Sequence, residues 1–171
     1  MTEGETMTMR KGPQGFSLIE LLIVVAIILI IAAIAIPDLL KSRQAANQAS
    51  AVGSLRTLNT SEVTYASTYT TGFSDTLADL DGTVTPSTAQ AAGLIDSVLG
   101  GGVKSSYSFT YTVCPSSFPC ATSPKHNDSY SITASPVAGV GNGNFYYTDH
   151  SGVIRQNTST TASVSDGPLA G

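Results

Sequence analysis

Charge is scarce in this sequence: only 12% of its 171 residues are Asp, Glu, Lys or Arg, about half the usual share. That shortage excludes a cytosolic surface laced with salt bridges and a disordered polyelectrolyte alike. Basic residues are not in excess, and a formal net charge of −4 gives a nucleic-acid groove no compositional support, so no specific nucleic-acid site is read. Histidine occurs twice, as His126 and His150, with Asp128 and Asp149 the nearest acids. No Gly-x-Ser-x-Gly, phosphate-cradling loop or paired-carboxylate motif accompanies them, so no catalytic residue, cofactor or enzyme is read. Both histidines are expected in surface loops. What the chain has instead is Ser and Thr, about a quarter of all residues, a composition at home in an exported protein. The length allows one modest domain beside a membrane segment.

The apolar residues are unevenly spread. From Phe16 to Ile36 every residue is apolar except Ser17 and Glu20, and Leu21 to Ile36 is unbroken. As a helix this stretch spans roughly 31 Å, about one hydrocarbon core, and is greasy all round. The basic pair Arg10-Lys11 precedes it. The positive-inside rule therefore keeps the amino terminus cytoplasmic and exports the chain after Ile36, although Lys41 and Arg43 weaken the bias. An ordinary secretory signal would have a shorter apolar core, and Ala33-Ile34-Ala35 before Ile36 mimics its cleavage site. A plain anchor is the other simple reading. Neither accounts for Glu20, an ionisable group costing a few kcal/mol in hydrocarbon unless paired.

The run Gly15-Phe16-Ser17-Leu18-Ile19-Glu20-Leu21-Leu22-Ile23-Val24-Val25-Ala26-Ile27-Ile28, followed by Ala32-Ala33-Ile34-Ala35-Ile36-Pro37, closely resembles the start of type IV pilins and of the related type II secretion pseudopilins. The resemblance implies residues 1–15 as a leader removed by a membrane-embedded prepilin peptidase that cuts after Gly15 and methylates the new amino terminus at Phe16. It implies residues 16–37 as a transmembrane and polymerisation helix. Glu20 matches the glutamate thought to pair with a neighbouring subunit's terminal amine, a meeting that stabilises a carboxylate stranded in hydrocarbon. Pro37 matches a helix-bending proline, whose missing amide explains a kink or local melting. Two departures stand out. Leu29 replaces a glycine common in the family, which stiffens that stretch. The leader has its basic pair four and five residues before Gly15 with Glu3 and Glu5 upstream, so Met1, Met7 and Met9 all stand as starts.

Residues 38–71 keep a helical pattern but become amphipathic, with Lys41, Arg43, Gln44, Asn47 and Gln48 on show. At 100° per residue, Val52, Leu55, Leu58, Tyr65 and Tyr69 fall within roughly a 140° arc that packs on the chain's own sheet. Ala45, Ala46, Ala49 and Ala51 suit close helix neighbours in a fibre. Only Phe16, Tyr65 and Tyr69 are aromatic along this helix, which argues against electron conduction. Thr70-Thr71-Gly72 ends it.

Residues 72–106 read as a connection with turns at Asp81-Gly82 and Gly100-Gly101-Gly102. One short helix lies between, opened by Pro86-Ser87, with Leu94, Ile95, Val98 and Leu99 on its apolar side. Residues 107–156 read as an antiparallel sheet. Tyr107, Phe109, Tyr111 and Val113 alternate with Ser108, Thr110 and Thr112, and Tyr130, Ile132 and Ala134 repeat the pattern. A hairpin joins Phe145 to Thr148 with Val153 to Arg155 through Asp149-His150-Ser151-Gly152. At most four strands are expected, giving an α+β fold: a long amino-terminal helix packed on a small antiparallel sheet, the layout of a pilin head. Residues 157–171, of low complexity, read as a loose tail.

Cys114 and Cys120 enclose five residues on the exported side, where oxidation to a disulfide is the leading reading; the spacing is poor for a metal. Asp149 with Ser151 and Asn142 or Asn144 is a weak calcium candidate. The resemblance implies a pilin: a subunit held singly in the inner membrane among lipid, passed by an assembly platform into a helical homopolymer, and displayed outside the cell. A type II secretion pseudopilin, and a membrane-tethered periplasmic binding module that never polymerises, are the alternatives. Adhesion, twitching, DNA uptake and secretion are not separated by this sequence, nor is glycosylation of the Ser and Thr residues.

Overall fold

A computed structural model describes residues 15–82, 86–115, 127–138 and 143–169. The architecture is the expected α+β one. A 51-residue helix, α1 (Leu18–Thr68), is followed by two four-residue helices, α2 (Leu77–Leu80) and α3 (Ser97–Gly100). Then come β1 (Val103–Lys104), β2 (Tyr107–Val113), β3 (Tyr130–Pro136), β4 (Phe145–Asp149) and β5 (Arg155–Asn157). The chain divides into two compact units at Lys41 and Ser42, and α1 runs through the division.

In the first unit the described residues have no core. Every apolar side chain of α1 from Leu18 to Leu40 is at least partly open, and Leu18, Leu29 and Ile34 keep 76%, 63% and 68% of their surface. Hydrogen bonding within the helix satisfies its backbone, as hydrocarbon requires. Pro37 lies inside α1, and the helix persists through it: the proline withholds one amide but does not end the span.

In the second unit α1 turns amphipathic as expected. Ala51, Val52, Leu55, Leu58 and Tyr65 are buried, with Tyr69 packed at their edge. They meet Leu77, Leu80, Leu99, Tyr107, Phe109, Tyr130, Ile132, Ala134 and Tyr146 in one cluster. Each fully buried leucine contributes about 1.5–3 kcal/mol. On the exposed side, the hydroxyls of Thr57, Thr60, Thr64 and Thr68 donate to the carbonyls of Gly53, Arg56, Thr60 and Thr64 at 2.8–3.1 Å.

The sheet is an antiparallel meander of five strands in chain order, one more than expected. The addition is β1, whose two residues pair Val103 with Ser108 and Lys104 with Tyr107, too short to leave an alternating signature. The β2–β3 pairing aligns Phe109 with Ala134 and Tyr111 with Ile132, so the apolar sets share the face toward α1. The hairpin turns where it was expected, but its second strand begins at Arg155 and not at Val153, with Tyr146 opposite Gln156 and Tyr147 opposite Arg155.

The connection before the sheet departs from its reading. No helix starts at Pro86-Ser87. Instead Ala92 and Leu94 donate their amides to the carbonyls of Asp79 and Leu80 at 2.9 and 2.7 Å, and Gly93 adopts φ 66°. Amides spent on α2 cannot close helical turns of their own. Helix α2 was not expected; Asp79 accepts from the Thr76 amide and hydroxyl at 2.8 and 2.9 Å and secures its start. Asp96 caps α3 by accepting from the Leu99 amide at 3.0 Å.

The tail read as loose is tied down over its described part. Asp166 accepts from Asn157 Nδ2 at 3.0 Å and from the Ser163 amide at 2.7 Å, and its carbonyl accepts from Arg155 at 3.0 Å. The Leu169 amide donates to Ile154 O at 2.7 Å, and its side chain joins the core. Polar residues of low complexity carried no apolar pattern to announce this.

Candidate functional site

The residues singled out at the amino terminus, Gly15, Phe16 and Glu20, are all exposed. Gly15, Phe16 and Ser17 precede α1 without helical structure, and Phe16 keeps 89% of its surface. An added Cβ at Gly15 would meet nothing within 4 Å. The bond between Gly15 and Phe16 is therefore open on both sides and outside the helix.

Ser17 and Glu20 begin the helix together. The carbonyl of Ser17 accepts from the amides of Glu20 and Leu21 at 3.1 and 3.2 Å, while Glu20 Oε2 reaches back to the Ser17 amide at 3.4 Å. This is one arm of a capping box, and the spacing Ser-x-x-Glu carried that signal, which the sequence reading passed over. A carboxylate at the third helical position also lies near the positive end of the helix dipole. Directly after Pro37, Asp38 and Lys41 stand 3.9 Å apart, both more than 70% exposed, and so contribute little.

Residues 10–36 match the family model described as the prokaryotic N-terminal methylation motif. This is the type IV pilin and pseudopilin signal segment. The methylation motif thus covers the exposed Gly15 and Phe16, Glu20 and the greasy part of α1, and it ends immediately before Pro37. No curated protein and no solved structure matches the chain.

The remaining candidates lie in the second unit. Cys114 follows β2 at φ 48°, whereas Cys120 falls outside the described residues, as do His126 and Asn142. Asp149 ends β4, is 2% exposed, and accepts from the Ser151 amide at 2.8 Å across the hairpin turn. One of its oxygens is therefore already holding the turn. Among the described residues no three or more of His, Cys, Asp and Glu gather as metal ligands. His150 sits exposed in that turn.

One acid escaped the sequence reading altogether. Glu62 is 0% exposed, on the core side of α1. Its Oε1 accepts from the Ser74 hydroxyl at 2.6 Å and its Oε2 from the Ser74 amide at 3.0 Å. Burial raises its pKa above the ordinary 4.5, against the opposing pull of the Ser74 hydrogen bonds. Its position follows the buried arc, one turn past Leu58 and three residues before Tyr65, and that phase was the available clue.

Proposed function

We propose that this chain is the structural subunit of a type IV pilus or related filament. The observation that carries the reading is the coincidence of the methylation motif with a helix whose apolar side chains are uncovered from Leu18 to Leu40. A surface of that size is stable only in lipid or against other apolar helices. On this reading the precursor is anchored once in the inner membrane, and a prepilin peptidase cuts after Gly15 and methylates Phe16. An assembly platform then transfers the subunit from lipid into a homopolymer on the cell surface.

Transfer exchanges lipid contacts for helix contacts, so cohesion comes from close packing and registry from polar groups. Glu20 is the polar group available: its partner in the single chain is a backbone amide at 3.4 Å, a weak hydrogen bond. The positive amine of a neighbouring Phe16 would satisfy the carboxylate better. Pro37, one residue beyond the motif, would let the helix adjust as it packs. Cys114 and Cys120 would close a short disulfide loop on the exported side.

The test is amino-terminal sequencing and intact mass of material sheared from cells, compared with the membrane fraction. N-methylated Phe16 as first residue in the sheared material is the expected result. The same terminus confined to membranes would point to a pseudopilin of a secretion system. A start at Ile36 would mean ordinary signal cleavage and would sink the filament reading.

A further inference from the structure

The second unit contains a buried carboxylate that the assembly reading does not use. We infer that Glu62, Ser74 and Tyr111 form a proton-operated clasp between α1 and β2, tightest when Glu62 carries a proton, so that the folded unit Ser42–Gly171 hardens in acid. The inference stands apart from filament formation, which concerns the other unit.

The geometry provides for both protonation states. With Glu62 ionised, the Ser74 hydroxyl donates to Oε1 at 2.6 Å and the Ser74 amide to Oε2 at 3.0 Å, while the Tyr111 hydroxyl donates to the Ser74 carbonyl at 2.8 Å. With Glu62 protonated, the direction of one bond reverses. Glu62 then donates to the Ser74 oxygen, and the Ser74 hydroxyl turns to the Tyr111 oxygen, 3.3 Å away. The Ser74 amide and the Tyr111 hydroxyl keep their partners. Every polar group in the clasp stays satisfied without movement of a heavy atom, and no charge remains in the core.

The surroundings favour the uncharged state. Glu62 and Ser74 are both 0% exposed. The titratable groups acting on the site are Asp79 from α2, Tyr111 from β2, Tyr130 from β3 and Tyr65 from α1 itself. Asp79 repels a negative Glu62, and burial holds both Tyr111 and Tyr130 above the ordinary phenol value, so they remain neutral donors. No salt bridge reaches Glu62 among the described residues.

The sign follows from linkage. A carboxyl whose folded pKa exceeds its unfolded value stabilises fully below the unfolded value, here the ordinary 4.5, and that stability is lost as pH rises through the folded value. Thermal unfolding of the full chain in detergent micelles between pH 4.5 and 8 tests this directly. The wild-type midpoint should fall by roughly 3–8 °C over that range. Glu62→Gln, whose amide mimics the protonated acid, should stay flat and meet the wild type at the acid end. Parallel profiles for the two proteins would overturn the clasp.

A second readout does not depend on the variant folding. The chain has four glutamates, Glu3, Glu5, Glu20 and Glu62, so carboxyl carbons labelled in glutamate alone give few signals. Glu20→Gln removes the one other glutamate in α1. A remaining signal titrating above the ordinary glutamate range supports the clasp, and its absence rejects it.

Discussion

Asn59 and Thr148, 89 residues apart in the chain, meet at 2.9 Å, with the amide of the helix residue donating to the hydroxyl of the strand residue. The same side chain accepts from the Tyr130 hydroxyl at 3.0 Å, so one residue of α1 ties β3 and β4 to the helix. Thr148 is 0% and Tyr130 1% exposed, and neither hydroxyl has water to fall back on. Asn59→Ala should therefore destabilise the fold by about 2–3 kcal/mol, the cost of stranding buried polar groups. Denaturant unfolding of wild type, Asn59→Ala, Tyr130→Phe and the double variant checks it. The double variant should lose less than the sum of the two single losses.

Glu20 should matter for assembly and not for stability of the folded second unit. Glu20→Ala removes an ionisable group from the apolar segment, so membrane insertion should be unchanged or improved. Surface filaments should fall to a small fraction of wild type. Unchanged filaments in shearing and electron microscopy would remove Glu20 from the assembly reading.

Gly72 turns the chain out of α1 at φ 86°, and an added Cβ there would strike the carbonyl of Asn127. Backbone hydrogen bonds lock the approach: Phe73 donates to Asn127 O at 2.9 Å and Asn127 to Thr71 O at 3.0 Å. Gly72→Ala combines a left-handed backbone with a clash and should cost about 2–4 kcal/mol. Gly152 has a similar φ of 74° but open space around it, so Gly152→Ala should cost less in the same unfolding assay.

Asp166 organises the end of the chain, and hydrogen bonds led by the Ser163 amide hold its carboxyl below the ordinary 3.8. For a depressed carboxyl the stabilisation is present above the unfolded value and lost as pH falls through the folded one. Exchange protection of the Ser163 amide should hold at neutral pH and disappear below pH 3.8. Asp166→Ala should show the same loss at neutral pH, together with several-fold faster proteolysis between Thr158 and Ser165.

The cysteine pair yields to alkylation and mass spectrometry. Exported protein denatured without reductant should take up no alkyl group, and after reduction it should take up two, one each on Cys114 and Cys120. Alkylation of both thiols without reduction would remove the bridge.

Where sequence and fold agree, the signal was periodic and local. The alternation of Tyr107, Phe109 and Tyr111 and the arc from Val52 to Tyr69 each report their own element, because one face of a strand or helix must be apolar. The amino-terminal methylation motif was legible for a different reason: it is one unbroken stretch of sequence, residues 10–36. Glu62 was hidden because its partner Ser74 lies beyond a turn, and a polar residue on a helix resembles a solvated one until the opposing wall is known. The parallel bridge between Gly72 and Asn127 joins residues 55 positions apart and leaves no local trace. Helix α2 did leave one, in the spacing of Thr76 and Asp79, but four residues are too few for periodicity to support it.

The threonines on the open side of α1 alter what that surface offers to water. Thr57, Thr60, Thr64 and Thr68 each spend their only hydroxyl proton on a carbonyl of the helix that bears them. What remains outward is a methyl group and an oxygen that accepts but does not donate. Composition counts these residues as hydrophilic, yet drying them forfeits less hydration than four unengaged alcohols would. A contact laid over this side needs no matching acceptor for any of them, and would select by contour more than by hydrogen-bonding partner.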